Sequence, residues 1–121
     1  MEDHMDIRCL EQNGVAQLAL TGKMDLVNAV EVKEKVKALL GQNRTTIHID
    51  MSGVDFINSS GLGAMVSMLK EIRMRQGRLT VSNLAPYIVE IFDITQLSHV
   101  FEIYPTTEEA MASYRGTPVT R

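Results

Sequence analysis

The first apolar positions of the chain alternate with polar ones and predict a β-hairpin. Two β-like runs, Met5 to Leu10 and Val15 to Leu20, flank the segment Glu11 to Gly14. The Asn13-Gly14 pair in this segment favours a tight turn between antiparallel strands. The polar segment Thr21 to Val27 that follows is predicted to be a loop.

Helical and strand-like periods then alternate twice. Apolar residues recur at helical spacing up to Gly41 (Ala29, Val32, Val36, Leu39 and Leu40). A polar linker leads to a β-like run in which Ile47, Ile49 and Met51 share one face, and Val54, Phe56 and Ile57 carry the apolar pattern to the next turn. A second helix is predicted from Ser60 to Gln76, ending at Gly77, with Leu62, Met65, Val66, Leu69 and Ile72 as its buried stripe.

The last third of the chain repeats this order of elements. Arg78 to Ser82 is predicted to be a strand, and Pro86 suits the first position of a helix that buries Ile88, Ile91 and Phe92. Val100 to Tyr104 is predicted to be a strand that Pro105 ends. Thr106 and Glu109 have the spacing of a capping box for a final helix holding Ala110, Met111 and Tyr114, and residues 116–121 should fray.

These elements predict an α/β fold with a single domain over residues 1–121. Strands that alternate with helices after an opening hairpin give a mostly parallel mixed sheet, here of about five strands and about four helices. The crossovers between parallel strands should be right-handed. The order of the strands in the sheet cannot be deduced from the pattern.

Composition narrows the possible functions. The chain has 121 residues, of which 45% are hydrophobic and 22% charged, as in ordinary globular domains. A net charge of −3 gives no electrostatic reason to expect nucleic acid as a partner. One cysteine and three scattered histidines, His4, His48 and His99, do not form a metal-binding pattern, so we expect no metal.

The location of the protein is predicted from its apolar runs. Crossing a bilayer as a helix requires roughly 20 apolar residues, and no run approaches that length. The first residues, from Met1 to Met5, also lack the basic and hydrophobic regions of a secretion signal. We therefore expect a cytoplasmic protein without membrane insertion.

The most informative segment is the turn between the third strand and the second helix. Asn58, Ser59 and Ser60 fall at the helix N-terminus, where short polar side chains accept hydrogen bonds from unpaired amides. Helix capping is the simplest interpretation of all three. Gly61 and Gly63 are harder to explain, because glycine in a helix costs on the order of 1 kcal/mol relative to alanine. Either the helix packs closely on the sheet, or another molecule approaches the backbone there.

The same turn suits an anion. Unpaired amides and the positive end of the helix dipole both favour a phosphate, which a serine hydroxyl could carry covalently. Enzyme templates fail at this site, since Val66 stands where a dinucleotide fingerprint needs glycine or alanine, and the serines lack the Gly-x-Ser-x-Gly elbow. We expect neither catalysis nor a bound cofactor.

The run Asn58 to Gly63, together with Leu20 to Asp25, resembles the STAS domain of bacterial anti-sigma factor antagonists. The resemblance covers nearly the whole chain. In that family the first serine of the motif is phosphorylated by a partner protein, which implies Ser59 here, with Ser60 less favoured. The family usually has aspartate before this serine, whereas this chain has Asn58.

The resemblance also implies partners and a contact surface. The unphosphorylated form would bind an anti-sigma factor that is also a serine kinase of the histidine-kinase-like ATPase family, and a serine phosphatase would reverse the modification. Asp25 is either an ordinary loop carboxylate or part of this surface. The implied contact residues are Met24, Asp25, Leu26, Asn58, Ser59, Ser60, Gly61, Leu62 and Gly63. The alternative is a STAS module that serves a transporter or a signalling scaffold and does not switch sigma factors.

Overall fold

A computed structural model describes residues 4–115, in which strands and helices alternate after the opening hairpin. The predicted fraying of residues 116–121 lies outside this range. The elements are β1 (Asp6–Gln12), β2 (Val15–Met24), α1 (Leu26–Gly41), β3 (Thr46–Ile57), α2 (Ser59–Met74), β4 (Arg78–Ser82), α3 (Pro86–Ile94), a 3₁₀-helix (Leu97–His99), β5 (Glu102–Tyr104) and α4 (Thr107–Arg115).

The strands lie in the sheet in the order in which they occur in the chain, β1-β2-β3-β4-β5. β1 pairs antiparallel with β2, and each later neighbour is parallel. Asn13 and Gly14 both have positive φ, 53° and 83°, which is the conformation that a tight hairpin turn requires. The predicted α/β fold with an opening hairpin is confirmed.

The helices cover both faces of the sheet unequally. Buried apolar side chains of α1, α2 and α3 share one core with residues such as Leu18, Ile49 and Val81. Because three successive crossovers between sequential parallel strands have the same hand, their helices fall on one face. α4 packs on the other face in a small cluster of its own, formed by Val15, Ala110 and Met111.

The predicted loop from Thr21 to Val27 is wrong. β2 continues to Met24, and α1 begins at Leu26 with only Asp25 between them. The reason is tertiary, because β2 pairs with β3 as far as Met24 opposite Ile57. From Asp50 to Ile57 β3 advances by seven residues, whereas β2 advances by only five from Ala19 to Met24. The ladder therefore contains two register shifts, which the hydrophobic pattern of the sequence does not reveal.

Several other boundaries also differ from the prediction. α2 begins one residue earlier, at Ser59, and ends at Met74, and Gly77 beyond it lies too close to Thr45 to carry a side chain. Within α2, Met65, Leu69 and Ile72 are buried as predicted, whereas Leu62 and Val66 are only half-buried. Ala64 and Met68 take the remaining buried positions.

Among the last three elements, the start of β5 differs from the prediction, whereas the starts of α3 and α4 agree with it. β5 begins at Glu102 instead of Val100, because the 3₁₀-helix and the turn after it occupy the preceding residues. Thr106 caps α4 as predicted, accepting a hydrogen bond from the Glu109 amide at 3.1 Å. Pro86 is the first residue of α3, also as predicted.

Candidate functional site

Two neighbouring strands end side by side, and each leads directly into a helix. Met24, the last residue of β2, pairs with Ile57, the last residue of β3. We call residues 24–28 the α1 corner and residues 57–61 the α2 corner. All the candidate contact residues predicted from the sequence lie within these corners or in the α2 turn that follows, so the fold brings the two motif segments together.

At the α1 corner, Asp25 is the N-cap of α1. Its backbone is extended, with φ −112° and ψ −171°, and its carboxylate accepts a hydrogen bond from the Asn28 amide at 3.0 Å. The side chain of Asn28 is buried and donates to the Lys23 carbonyl at 2.9 Å. Asp25 is therefore the capping carboxylate of α1 and not an ordinary loop carboxylate, and its predicted place in a contact surface stays a prediction.

At the α2 corner, Asn58 has the same role. Its backbone angles are φ −118° and ψ −175°, and its side-chain oxygen accepts from the Gly61 amide at 3.0 Å. Ser59 and Ser60 are the first two helical residues, and both are exposed. Capping thus explains Asn58 but not the serines. The first helical hydrogen bond runs from the Leu62 amide to the Asn58 carbonyl at 2.9 Å, so the amides of Ser59 and Ser60 precede it.

The two glycines of α2 have different reasons. A Cβ at Gly61 would overlap the carbonyl oxygen of Met24 and lie 2.8 Å from its Cγ, so the helix can approach β2 this closely only with glycine there. A Cβ at Gly63 would meet nothing within 4 Å. Close packing therefore accounts for Gly61, whereas Gly63 leaves an open, exposed strip of helix backbone that a second molecule could approach.

Exposure divides the predicted contact residues into two groups. The side chain of Met24 is fully buried and Gly61 is buried beneath it, so these two predicted contact residues do not lie on the surface of the domain. Leu26 is 63% exposed, and the next residue, Val27, is 71% exposed. Val27 is not among the contact residues predicted from the sequence, although an apolar residue outside the buried helical period of α1 is a signal of an exposed apolar side chain.

A further exposed ring borders the corners on the strand side. Phe56 is 40% exposed, although the sequence pattern assigned it to the apolar run of β3. It lies opposite Lys23 in the ladder, and the Lys23 ammonium sits 5.9 Å from the centre of the ring. This cation–π pair joins β2 and β3 one residue before each strand ends.

The opposite face of the sheet contains a buried polar network that anchors α4. The ring nitrogens of His48 are each 2.8 Å from a hydroxyl, Nδ1 from Thr80 and Nε2 from Ser82. Thr80 continues to the Tyr114 hydroxyl and Ser82 to that of Thr107, both on α4. Burial lowers the pKa of His48 to about 4, with the nearby Asp50 carboxylate partly opposing the shift. His48 is a neutral structural group.

Within residues 4–115, the side chains do not gather into a cluster of three or more potential metal ligands. In the same range, no helix is both long enough and apolar enough to cross a membrane.

Comparison with known proteins identifies the family. Residues 6–110 match the STAS domain family. The anti-sigma-B factor antagonist of Listeria monocytogenes is 31% identical over 101 residues, covering 84% of this chain and 79% of that protein. The anti-sigma-B factor antagonist of Bacillus subtilis is 28% identical over 108 residues, covering 89% and 96%.

The fold also resembles that of solved structures. An anti-sigma factor antagonist from Mycobacterium paratuberculosis superposes with a TM-score of 0.83 at 23% identity, covering 95% of this chain and 97% of that one. The region that matches the STAS domain family, residues 6–110, includes every strand of the described sheet and both corners. The chain belongs to the STAS domain family, and within it to the anti-sigma factor antagonists.

Proposed function

We propose that this protein is an anti-sigma factor antagonist that is switched by phosphorylation of Ser59. The observation that carries the proposal is the exposed Ser59 hydroxyl at the first position of α2, one strand away from the exposed apolar residues Leu26 and Val27. The names of the relatives from Listeria and Bacillus support the antagonist function.

In the proposed active state the protein is unphosphorylated and binds an anti-sigma factor, which then releases its sigma factor. The contact surface combines apolar area on α1 with the polar start of α2 and the open backbone at Gly63. Its members are Asp25, Leu26, Val27, Asn58, Ser59, Ser60, Leu62 and Gly63. The buried residues Met24 and Gly61 support this surface from below.

The domain itself should tolerate the phosphate. A phosphoserine carries about −1.5 to −2 charges at neutral pH. At an exposed helix N-terminus each negative charge is favoured by roughly 0.3–1 kcal/mol. The amides of Ser59 and Ser60 are free of helical partners, and the neutral Asn58 adds no repulsion. We therefore do not expect phosphorylation to unfold the α2 corner.

A partner that closes over the same corner would meet the phosphate differently. It would have to strip water from a doubly charged group, and burying unpaired charge costs several kcal/mol. Since each 1.4 kcal/mol corresponds to a factor of about ten in affinity, release by two or more orders of magnitude follows without a large change of shape.

The chemistry of the switch belongs to the partners. The anti-sigma factor would be a serine kinase of the histidine-kinase-like ATPase family that holds the ATP, and a serine phosphatase would restore the active form. The antagonist needs no catalytic group or cofactor for either step, and no contact with nucleic acid. Because the matched relatives are named antagonists, the switch is favoured over the transporter or scaffold alternative.

The test is phosphate transfer from candidate anti-sigma kinases with ATP, followed by mass spectrometry to locate the phosphate. We expect labelling of the wild type and of Ser60→Ala, and loss of labelling in Ser59→Ala. Titration calorimetry should then show that Ser59→Ala binds the kinase and that Ser59→Asp binds at least about a hundredfold more weakly. Full labelling of Ser59→Ala, or equal affinities for the two folded variants, would contradict the proposal.

A further inference from the structure

The last part of β3 forms an edge of the sheet. β3 pairs with β4 from Thr46 opposite Arg78 to Asp50 opposite Ser82, and among the described strands the remainder of β3 pairs with β2. On the side where β4 has ended, the backbone of β3 must find other hydrogen-bond partners or remain with water. This edge leads directly into the α2 corner.

Tyr87 reaches this edge from α3. Its hydroxyl accepts a hydrogen bond from the Ile57 amide at 3.1 Å and donates one to the Asp55 carbonyl at 2.8 Å. Tyr87 is the second residue of α3, whose next residue, Ile88, is fully buried in the core. The side chain is therefore anchored at its base, although 41% of the residue is exposed.

The two hydrogen bonds reproduce the pattern of a neighbouring strand. In a parallel pair, one residue bonds through its amide and its carbonyl to the two residues that flank its partner. The hydroxyl of Tyr87 bonds to Asp55 and Ile57, which flank Phe56, and supplies one donor and one acceptor. A single side chain thus replaces the β4 residue that would otherwise stand opposite Phe56.

This replacement fixes the residue on which the α2 corner depends. Ile57 is held by Met24 of β2 on one side and by Tyr87 on the other. The next residue, Asn58, caps α2 and is followed immediately by Ser59. We propose that Tyr87 is a positioning residue that holds the end of β3, and through it the Ser59 hydroxyl, in the geometry that accepts phosphate. This inference rests on the proposed function.

The alternative role of Tyr87 is purely structural, to satisfy an exposed sheet edge. The two roles differ in what the loss of the hydroxyl should change. A structural role predicts lower stability with phosphate transfer unchanged once the protein is folded. A positioning role predicts slower transfer of phosphate to a protein that is folded and still binds the kinase.

The experiment compares Tyr87→Phe with the wild type and with Tyr104→Phe. Tyr104 is a matched control, because its hydroxyl also forms hydrogen bonds, with Arg78 and Glu102, but it lies on the outermost strand β5, two strands from β3. In Tyr87→Phe we expect hydrogen exchange at the Ile57 amide to be about tenfold faster, with exchange at Ile49 unchanged. Tyr87→Phe loses both hydrogen bonds of the hydroxyl, but only the one from the Ile57 amide lies next to the α2 corner. The kcat for phosphorylation of Ser59 should therefore fall about two- to tenfold, as for one lost hydrogen bond, at unchanged KM.

Each other outcome has a defined meaning. Faster exchange at Ile57 with an unchanged kcat would overturn the positioning role and leave the structural one. An equal fall in kcat for Tyr104→Phe would show a general effect of stability and would also overturn it. If the wild type accepted no phosphate, the proposed function would fail and this role with it. Unchanged exchange at Ile57 in Tyr87→Phe would reject the positioning role of Tyr87 alone.

Discussion

The α1 corner and the α2 corner have the same backbone but different surfaces. Their capping residues differ by only a few degrees in φ and ψ, and each side chain accepts a hydrogen bond at 3.0 Å from the amide three residues later. The cap of α1 is the carboxylate of Asp25, followed by exposed apolar residues. The cap of α2 is the neutral amide of Asn58, followed by exposed serines.

The same arrangement of strand end, N-cap and first helical turn therefore serves two purposes. A parallel strand that ends in an N-cap presents the first helical turn to solvent, whatever residues that turn contains. At α1 these residues provide apolar contact area, and at α2 they provide hydroxyls beside free amides. The third helical position also differs. In α1 it is Asn28, whose side chain donates a hydrogen bond to β2, and in α2 it is Gly61, whose lack of a side chain lets α2 approach β2 closely.

The largest effect should come from Met24→Ala, because Met24 is the buried first residue of the α1 corner and also packs against Gly61 of the α2 corner. Removing a buried methionine side chain costs about 2–5 kcal/mol. Urea denaturation should show this loss. Phe56→Ala, which truncates an exposed side chain one residue before the other strand ends, is the control and should cost far less. Equal losses would mean that the corners do not depend on Met24.

On the face of the sheet that α4 covers, His48 should make the free energy of unfolding depend on pH without affecting either corner. The pKa of His48 is about 4 in the folded protein and 6.5 when unfolded, so the group has no effect above pH 6.5. As the pH falls from 6.5 to about 4, only the unfolded state gains a proton, and stability should decrease by up to about 3 kcal/mol. Denaturation of wild type and His48→Gln across this range tests it. Identical slopes for the two proteins would contradict it.

The two glycines of α2 should respond in opposite directions to alanine. Gly61→Ala forces a Cβ into the Met24 carbonyl and should cost about 1–3 kcal/mol or more, as for overpacking. Gly63→Ala enters open space and should stabilise the helix by up to about 1 kcal/mol. Thermal denaturation of both variants measures the contrast. A destabilising Gly63→Ala would show that its surroundings are closed.

The two caps should contribute nearly equally to the free energy of unfolding. Asp25→Ala and Asn58→Ala each remove one side-chain acceptor from a helix N-terminus, which costs about 1 kcal/mol. The free energies of unfolding of the two variants should differ by no more than the roughly 0.3–1 kcal/mol that the charge of Asp25 adds at a helix N-terminus. A large difference would show that one of the corners has support beyond its cap, and would break the comparison between them.

The smallest effect is expected from Asn58→Asp, which gives the α2 corner the charged cap of the α1 corner. An exposed carboxylate at a helix N-terminus gains roughly 0.3–1 kcal/mol relative to a neutral group. The new carboxylate lies next to Ser59. Repulsion between this carboxylate and the phosphate should therefore remove part of the stability gain when the variant is phosphorylated. Unfolding measured before and after phosphorylation tests this, and equal changes in wild type and variant would contradict it.

The sequence alone determined the fold class and the elements that have a strong period. The hairpin at Asn13 and Gly14, the caps at Asn58 and Thr106, and the start of α3 at Pro86 depend on local backbone preferences, which neighbouring residues specify. The resemblance of the two motif segments also led correctly to the family. Local patterns were sufficient wherever the physical cause was local.

Tertiary structure decided the rest, because the causes lie on other strands. Thr21 to Met24 are strand because β3 lies beside them, and a pairing partner leaves no period in the sequence. Gly61 and Gly63 look alike in the chain, and only the position of Met24 separates the buried one from the open one. Likewise, Tyr87 could be connected with Ser59 only when β4 was seen to end before β3 and leave an edge for its hydroxyl to fill.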